Sequence, residues 1–219
     1  RLHVNGYLTV GGAKMSKSRG TFIMARTYLE AGLDPEALRY YFAAKSSGGV
    51  DDVDLNLVDF VARVNSDLVG KFVNLASRCA GFIEKRFDGK LADALPEPAM
   101  YARFIAQFPA VALAYADNDP ASVLRMTMAL ADEANRYIDE QKPWVIAKQE
   151  CGDGESQAVG TQGLNLFRVL AIMLRPVLPR TSSQVDAFFG ASNPHWQDLE
   201  SPLVSRRITH HMPSLTAVA

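Results

Sequence analysis

The sequence predicts a mainly α-helical fold, a bundle of five or six helices preceded by a short β-hairpin. Apolar residues recur at helical spacing over most of the chain after residue 57. Near the start, Tyr7 to Val10 lead into the turn pair Gly11-Gly12, which is typical of a hairpin. The 219 residues are 48% hydrophobic and 21% charged, as in globular proteins. The longest apolar stretch, Phe108–Ala116, is too short to cross a bilayer.

The first elements are predicted from local signals. Residues 4–15 form the hairpin. Asp34-Pro35-Glu36 begins a helix, because an aspartate cap, a proline in the first turn and an acid near the helix dipole favour an N-terminus. Residues 51–54, with three aspartates, are predicted to be a solvated acidic linker.

The remaining helices follow the apolar period and the prolines. A long helix runs from Leu57 to about Phe82 and ends before Pro96 and Pro98. The fourth helix stops before Pro143, because proline disfavours a helical residue ahead of it. The other predicted segments are a helix over 99–115, the fourth helix over 121–141, a surface loop rich in Gly, Gln, Glu and Ser over 150–163, and helices over 164–175 and 180–190.

Cysteine, histidine and charge counts exclude several classes of protein. Cys79 and Cys151 are too few for a disulfide framework or a metal quartet, which predicts a reduced, cytoplasmic protein. Of four histidines only His210 and His211 are neighbours, and neither cysteine nor carboxylate stands at ligand spacing, so we expect no metal site. The net charge of −1 requires any nucleic-acid surface to be local. No secretory leader is predicted.

Residues 14–20 place three cations and two hydroxyls directly after the predicted hairpin. A mobile loop of this kind can bring ammonium groups to a polyphosphate, and lysine suits this task because its compact charge lies on a flexible stem. Charge developing on a leaving pyrophosphate would be stabilised by Lys14 and Lys17 more strongly than the ground state is. From the residues alone, a solvated basic turn is the alternative interpretation.

The string Lys14-Met15-Ser16-Lys17-Ser18 is identical to the second ATP-binding signature of the class I aminoacyl-tRNA synthetases, so the chain resembles that class. The flanking residues 4–10 and 19–23 resemble the methionyl members rather than the leucyl, isoleucyl, valyl or cysteinyl ones. The resemblance spans about residues 4–190, because three further strings agree in order and spacing: residues 34–41, 51–56 and 73–78.

This resemblance implies a parent methionine–tRNA ligase that uses ATP, with magnesium, to make methionyl-adenylate and charge tRNA-Met. Lys14 and Lys17 would be catalytic, and Lys14, Met15, Ser16, Lys17 and Ser18 would bind ATP. The family's nucleotide-binding domain, methionine pocket and zinc knuckle have no counterpart here, so we expect a C-terminal portion that is inactive alone. Its expected partners are tRNA-Met and, through the missing catalytic domain, ATP and methionine, with neither membrane nor DNA.

The helix that contains Asn74 is predicted to carry a polar stripe. At about 100° per residue, Lys71, Arg78, Gly81 and Lys85 fall within about 60° of Asn74, beside an apolar face. An unstacked RNA base can use an amide for its Watson–Crick edge and a guanidinium for stacking or phosphate binding. The glycine would let a partner approach the backbone closely. A solvated helix face is the simpler alternative.

Pro143 and Trp144 follow the fourth helix, where a fixed backbone could hold the indole as a stacking platform. A buried core tryptophan is the alternative. In methionyl-tRNA synthetases the matching asparagine, arginine and tryptophan read the CAU anticodon, so the resemblance implies this role for Asn74, Arg78 and Trp144. Three further cations are unspecific candidates for phosphate contacts: Lys71, Lys85 and Arg136.

The predicted organisation has three parts. Residues 1–50 hold the end of a catalytic domain with its signature loop, residues 51–191 form the anticodon-binding helical bundle, and residues 192–219 are a tail of unassigned role. An alternative function is a stand-alone tRNA- or RNA-binding helical module without catalysis, although the complete phosphate loop argues against it. A synthetase for another amino acid is a third hypothesis, which anticodon preference would separate.

Overall fold

Helices dominate the computed structural model, which describes residues 2–4, 6–191, 194–209 and 217–218. This confirms the mainly α prediction with a hairpin in front. Parts of the predicted tail, including His210 and His211, lie outside the described residues. The strands are β1 (Leu8–Val10), β2 (Ala13–Lys14) and β3 (Val53–Leu55). The helices are α1 (Ala25–Glu30), α2 (Pro35–Lys45), α3 (Leu57–Arg63), a π-helical segment (Val64–Val73), α4 (Asn74–Phe87), α5 (Pro98–Ile105), α6 (Phe108–Ala116), α7 (Pro120–Gln141), α8 (Pro143–Ile146), α9 (Asp153–Leu174), α10 (Pro179–Phe188) and a short 3-10 helix (Trp196–Leu199).

The predicted hairpin is present, and a third strand that was not predicted joins it. β1 pairs antiparallel with β2 across Gly11 and Gly12, whose φ angles of 57° and 77° suit glycine. β3 pairs parallel with β1, so the prediction of an acidic linker over 51–54 is wrong for its second half. Asp54 ties β3 to the hairpin, because its Oδ1 accepts hydrogen bonds from Thr9 Oγ1 at 2.7 Å and from the Gly12 amide at 2.8 Å.

The predicted start of α2 is confirmed, and its first turn is also a tertiary junction. Asp34 caps the helix by accepting a hydrogen bond from the Glu36 amide at 2.9 Å. The buried Glu36 carboxylate then accepts from the amide of Thr181 at 3.0 Å and from its hydroxyl at 2.5 Å. Glu36 therefore caps α10 from a distant part of the chain. This contact fixes the start of α2 against the helical bundle.

The long helix predicted from Leu57 is continuous, but its middle is not α-helical. α3 passes directly into the π-helical segment Val64–Val73, which passes directly into α4. Val64, Leu68 and Phe72 of this segment are buried, and the Phe72 ring lies 4.7 Å from that of Phe167 in α9. Packing against the core therefore continues through the irregular segment. The apolar spacing of the sequence cannot distinguish an i→i+5 turn from an i→i+4 turn here.

Two predicted helix boundaries are wrong. The single helix expected over 99–115 is divided at Ala106 and Gln107 into α5 and α6, because Pro109 cannot donate to a preceding turn and begins a new helix instead. The surface loop expected over 150–163 is mostly the first half of α9. Ser156, Gly160 and Gly163 in this half are buried, and a Cβ added at Gly163 would lie 2.4 Å from Cys79 Sγ.

The core of the bundle lies between α4, α7 and α9. Close contacts join Gly163 to Cys79 and Gly160 to Ile83, so α9 runs antiparallel to α4. Two ion pairs between the long helix and α7, Lys71 with Asp132 and Arg78 with Asp139, have the same sequence separation of 61 residues. An equal separation at two points along both helices means that α4 and α7 run parallel.

Candidate nucleic-acid interface

The signature loop, residues 14–20, is held by its own backbone and by Thr21. The Thr21 hydroxyl donates to the Lys14 carbonyl at 2.9 Å and accepts from the Ser16 amide at 3.0 Å. The hydroxyls of Ser16 and Ser18 lie 3.0 Å apart. Asp54 accepts a hydrogen bond from the Gly12 amide and so fixes the turn just before the loop. This hydrogen bond is the largest cause that lowers the pKa of the Asp54 carboxyl, and the hydrogen bond from the Thr9 hydroxyl is the next.

The two lysines of the signature loop lie over exposed aromatic rings. Lys14 Nζ is 5.7 Å from the centre of the Tyr7 ring, and Lys17 Nζ is 5.3 Å from that of Phe22. Both ammonium groups are exposed, and neither has a carboxylate within ion-pair distance among the described residues. A cation over an exposed ring gains only about 0.5–1 kcal/mol, so both lysines remain free to bind an anion.

Arg78 and Trp144, predicted from separate parts of the sequence, are in contact. The guanidinium carbon of Arg78 lies 5.0 Å from the centre of the indole ring. Arg78 Nη2 also donates to Asp139 Oδ1 at 2.6 Å. The Trp144 side chain is 39% exposed, so the alternative of a buried core tryptophan is wrong. A fixed cation stacked beside an accessible indole is an arrangement on which an RNA base can stack.

Asn74 is the first residue of α4, one turn before Arg78, so the two side chains point to the same side of the helix. The residue is exposed, and its side-chain amide makes no hydrogen bond with a described residue. Directly beneath this surface Leu75, Cys79 and Ile83 are buried. We call Asn74, Arg78 and Trp144 the α4–α8 patch.

The backbone between α7 and α8 fixes the direction of the indole. Lys142 ends α7 in the left-handed region at φ 48°, and the buried Pro143 begins α8 immediately afterwards. Arg86 of α4 holds the other end of α8, because its guanidinium donates to the Ala147 carbonyl and to Asp153 Oδ1 at 2.8 Å. The rigid turn expected at Pro143 is thus tied to the same helix that carries Asn74 and Arg78.

The three cations that were candidates for phosphate contacts have different surroundings in the structure. Lys71 is paired with Asp132 at 2.9 Å, and Arg136 lies on α7 beside a groove that Glu133 and Glu140 also line. Lys85 is exposed and, among the described residues, has no carboxylate within 4 Å. Sequence reasoning missed the acidic partners Asp132 and Asp139. Their seven-residue spacing, equal to that of Lys71 and Arg78, was an available signal.

Two negative observations concern the described residues. They contain no group of three or more His, Cys, Asp or Glu side chains that could hold a metal ion. No helix in the described ranges is long and apolar enough to cross a membrane.

Of the two cysteines, Cys151 is exposed and Cys79 is buried beside Arg78, and burial raises the pKa of the Cys79 thiol to about 12.

Two family models match separate parts of the chain. The family model described as tRNA synthetases class I (M) matches residues 1–80, and the one described as anticodon binding domain of methionyl tRNA ligase matches residues 112–212. The chain is 67% identical over 218 residues to a methionine–tRNA ligase of Xanthomonas campestris pv. campestris, covering 100% of the chain and 31% of that protein. It is 66% identical to one of Stenotrophomonas maltophilia, of which it covers 32%.

A solved structure shares the fold. The methionyl-tRNA synthetase of Mycobacterium tuberculosis in complex with methionyl-adenylate superimposes with a TM-score of 0.81 over 97% of this chain and 42% of that chain, at 23% identity. The chain belongs to the class I aminoacyl-tRNA synthetases. Within that class it is part of the methionyl-tRNA synthetase family, and it spans about a third of the length of the curated relatives that it matches.

Proposed function

We propose that this chain is the part of a methionine–tRNA ligase that identifies tRNA-Met through its anticodon and contributes the signature loop to ATP-dependent adenylation. Two functional parts carry these roles, residues 1–50 with the loop and residues 51–191 with the bundle. The role of residues 192–219 stays open. The whole ligase would join methionine to tRNA-Met in the cytoplasm, consistent with its family.

The anticodon role is supported by one observation above all, the contact of Arg78 with an exposed Trp144. Trp144 offers an indole face to an unstacked base, Arg78 offers donors to a base edge or a phosphate, and Asn74 offers an amide to a Watson–Crick edge. Because Asp139 and the Trp144 ring hold the Arg78 guanidinium before RNA arrives, ordering this side chain on binding costs little entropy.

The signature loop would act on the polyphosphate of ATP, which arrives with its magnesium ion. Lys14 and Lys17 would stabilise charge that develops as pyrophosphate leaves, with Met15, Ser16 and Ser18 in the same ATP-binding loop. The reacting groups must be positioned by the rest of the enzyme, because an isolated loop cannot preorganise a transition state. We therefore expect no aminoacylation by this chain alone.

The test is a titration of the chain with tRNA-Met and with the same tRNA carrying one changed anticodon base, at two salt concentrations. We expect at least tenfold weaker binding of the changed tRNA at both concentrations, because base contacts do not depend on salt as phosphate contacts do. Equal, salt-sensitive binding of both RNAs would contradict the proposal.

The alternative, a stand-alone RNA-binding module without catalysis, uses the same bundle. It differs in what the signature loop does, because such a module gains nothing from two lysines free to bind phosphate. Methionine-dependent ATP–pyrophosphate exchange by the full-length gene product separates the two. Exchange that is lost in a Lys17→Ala variant supports the ligase, and no exchange by the wild-type product supports the module.

A further inference from the structure

Three cations on the long helix are spaced by seven residues: Lys71, Arg78 and Lys85. The first two face acids of the parallel helix α7 that are also seven residues apart, Asp132 at 2.9 Å and Asp139 at 2.6 Å. Each of these cations is therefore neutralised by a carboxylate before any partner binds. The surface at that level of the bundle carries little net charge.

The third position of this series has no acid. The residue 61 positions after Lys85 is Ile146, which lies in α8, because α7 ends at Gln141 and the chain turns at Lys142. Lys85 is exposed, and within the described part of the chain no carboxylate oxygen lies within 4 Å of its ammonium. The end of α7 thus leaves one cation of the series uncompensated.

The surface between Arg78 and Lys85 is open. Gly81 lies between them on the same side of α4, and a Cβ added there would meet no atom within 4 Å. Asn74, Arg78, Gly81 and Lys85 follow one another by four, three and four residues, which keeps them in one row along the helix. Lys85 lies about 10 Å along the helix from Arg78.

We propose that Gly81 and Lys85 form a phosphate-binding extension of the α4–α8 patch. The sugar–phosphate backbone next to the base read by Arg78 and Trp144 passes over Gly81, and its phosphate binds the Lys85 ammonium. Lys85 positions the RNA and does not read its sequence, whereas the α4–α8 patch does. This inference rests on the proposed anticodon function.

The experiment compares the wild-type chain with Lys85→Ala, using tRNA-Met and the tRNA with one changed anticodon base across a series of salt concentrations. We expect Lys85→Ala to weaken binding of both RNAs several-fold at low salt. The slope of log affinity against log salt should decrease by about 0.7–1, the value for one lost phosphate contact. The preference for the correct anticodon should be unchanged.

Lys90→Ala is the matched control. Lys90 is also exposed and has no ion pair among the described residues, but it lies after the end of α4, where its carbonyl accepts from Gln157 of α9. A further variant tests the passage over the glycine. Gly81→Gln should weaken binding of both RNAs, because its longer side chain would occupy the space that is open beside Gly81. Wild-type binding by a folded Gly81→Gln chain would contradict the passage of the RNA backbone at this position.

The outcomes distinguish this inference from the function on which it rests. If the wild-type chain discriminates between anticodons but Lys85→Ala keeps the wild-type salt slope, Lys85 binds no phosphate and the inference is overturned alone. If Lys90→Ala lowers the slope as much as Lys85→Ala does, the effect is general electrostatics and the inference is also overturned. If the wild-type chain does not discriminate, the proposed function fails, and this inference fails with it.

Discussion

The signature loop and the α4–α8 patch both present cations, but they hold them in different ways. Lys14 and Lys17 lie over the exposed rings of Tyr7 and Phe22, on a loop that is hydrogen-bonded mainly to itself. Arg78 contacts both a carboxylate and an indole, on a helix whose other side is buried. The loop therefore leaves its charges available to a ligand. The patch is organised in advance.

The largest expected effect belongs to the loop and requires the full-length enzyme. Lys17→Ala should lower the rate of methionyl-adenylate formation by about 10²–10³-fold, the usual cost of removing one donor to a developing charge. The same variant of the present chain should bind tRNA-Met as the wild type does. ATP–pyrophosphate exchange and a tRNA titration measure the two effects. Equal loss in both would mean that the loop is an RNA contact.

A smaller effect is expected at the patch. Trp144→Ala should cost about 1–3 kcal/mol in affinity for tRNA-Met if the indole stacks on a base. Val145→Ala is the matched control, because Val145 lies on the same short helix and is 44% exposed. Both variants should stay folded. Wild-type affinity in a folded Trp144→Ala chain would remove this residue from the site.

The packing of α4 can be tested at two glycines. Gly163 of α9 lies against the buried side of α4, and Gly81 of α4 faces open space. Gly163→Ala should lower the free energy of unfolding by about 1–3 kcal/mol, because the new Cβ would lie 2.4 Å from Cys79 Sγ and 2.9 Å from Ile138 Cδ1. Gly81→Ala should raise it by up to about 1 kcal/mol, since the new methyl group lies in open space. Urea unfolding measures both, and equal midpoints would contradict the close packing of α4 on α9.

The smallest effect concerns the tether of the signature loop. The folded state lowers the pKa of Asp54 below its ordinary value of 3.8, so the hydrogen bond to the Gly12 amide is fully present above about pH 4. It should weaken as the pH falls further, through the lowered pKa. The amide chemical shift of Gly12 should follow this titration. In Asp54→Asn that acid-dependent change should disappear, and its persistence would mean that another group causes it.

The sequence predicted the elements whose signals are local. The Gly11-Gly12 turn and the Asp34 cap depend on a few neighbouring residues, and both are present as predicted. β3 was missed because Val53–Leu55 is too short to show alternation, and its parallel pairing with β1 is a contact over more than forty residues. The first half of α9 was missed because the residues that recur there at helical spacing are small rather than apolar: Ser156, Gly160 and Gly163.

The site shows the same division. The resemblance supplied Asn74, Arg78 and Trp144, and the helical period placed Asn74 and Arg78 on one side of α4. The contact of Arg78 with Trp144 depends on where α7 ends relative to α4, which no local pattern specifies. The equal spacing of Lys71 and Arg78 and of Asp132 and Asp139 is visible in the sequence. Pairing the two sets also requires that α4 and α7 run parallel, and that alignment is a property of the folded bundle.

The length of the π-helical segment before Asn74 determines which way the side chains of Asn74 and Arg78 face. Residues 74–87 continue the same helix, so their rotation about its axis depends on how many residues the segment between Val64 and Val73 contains. One inserted or deleted residue there would turn Asn74 and Arg78 by about 100°. Arg78 would then face away from both Asp139 and Trp144, although every residue of the patch would still be present. The proposed recognition of the anticodon therefore depends on the number of residues in this segment as much as on the side chains that follow it.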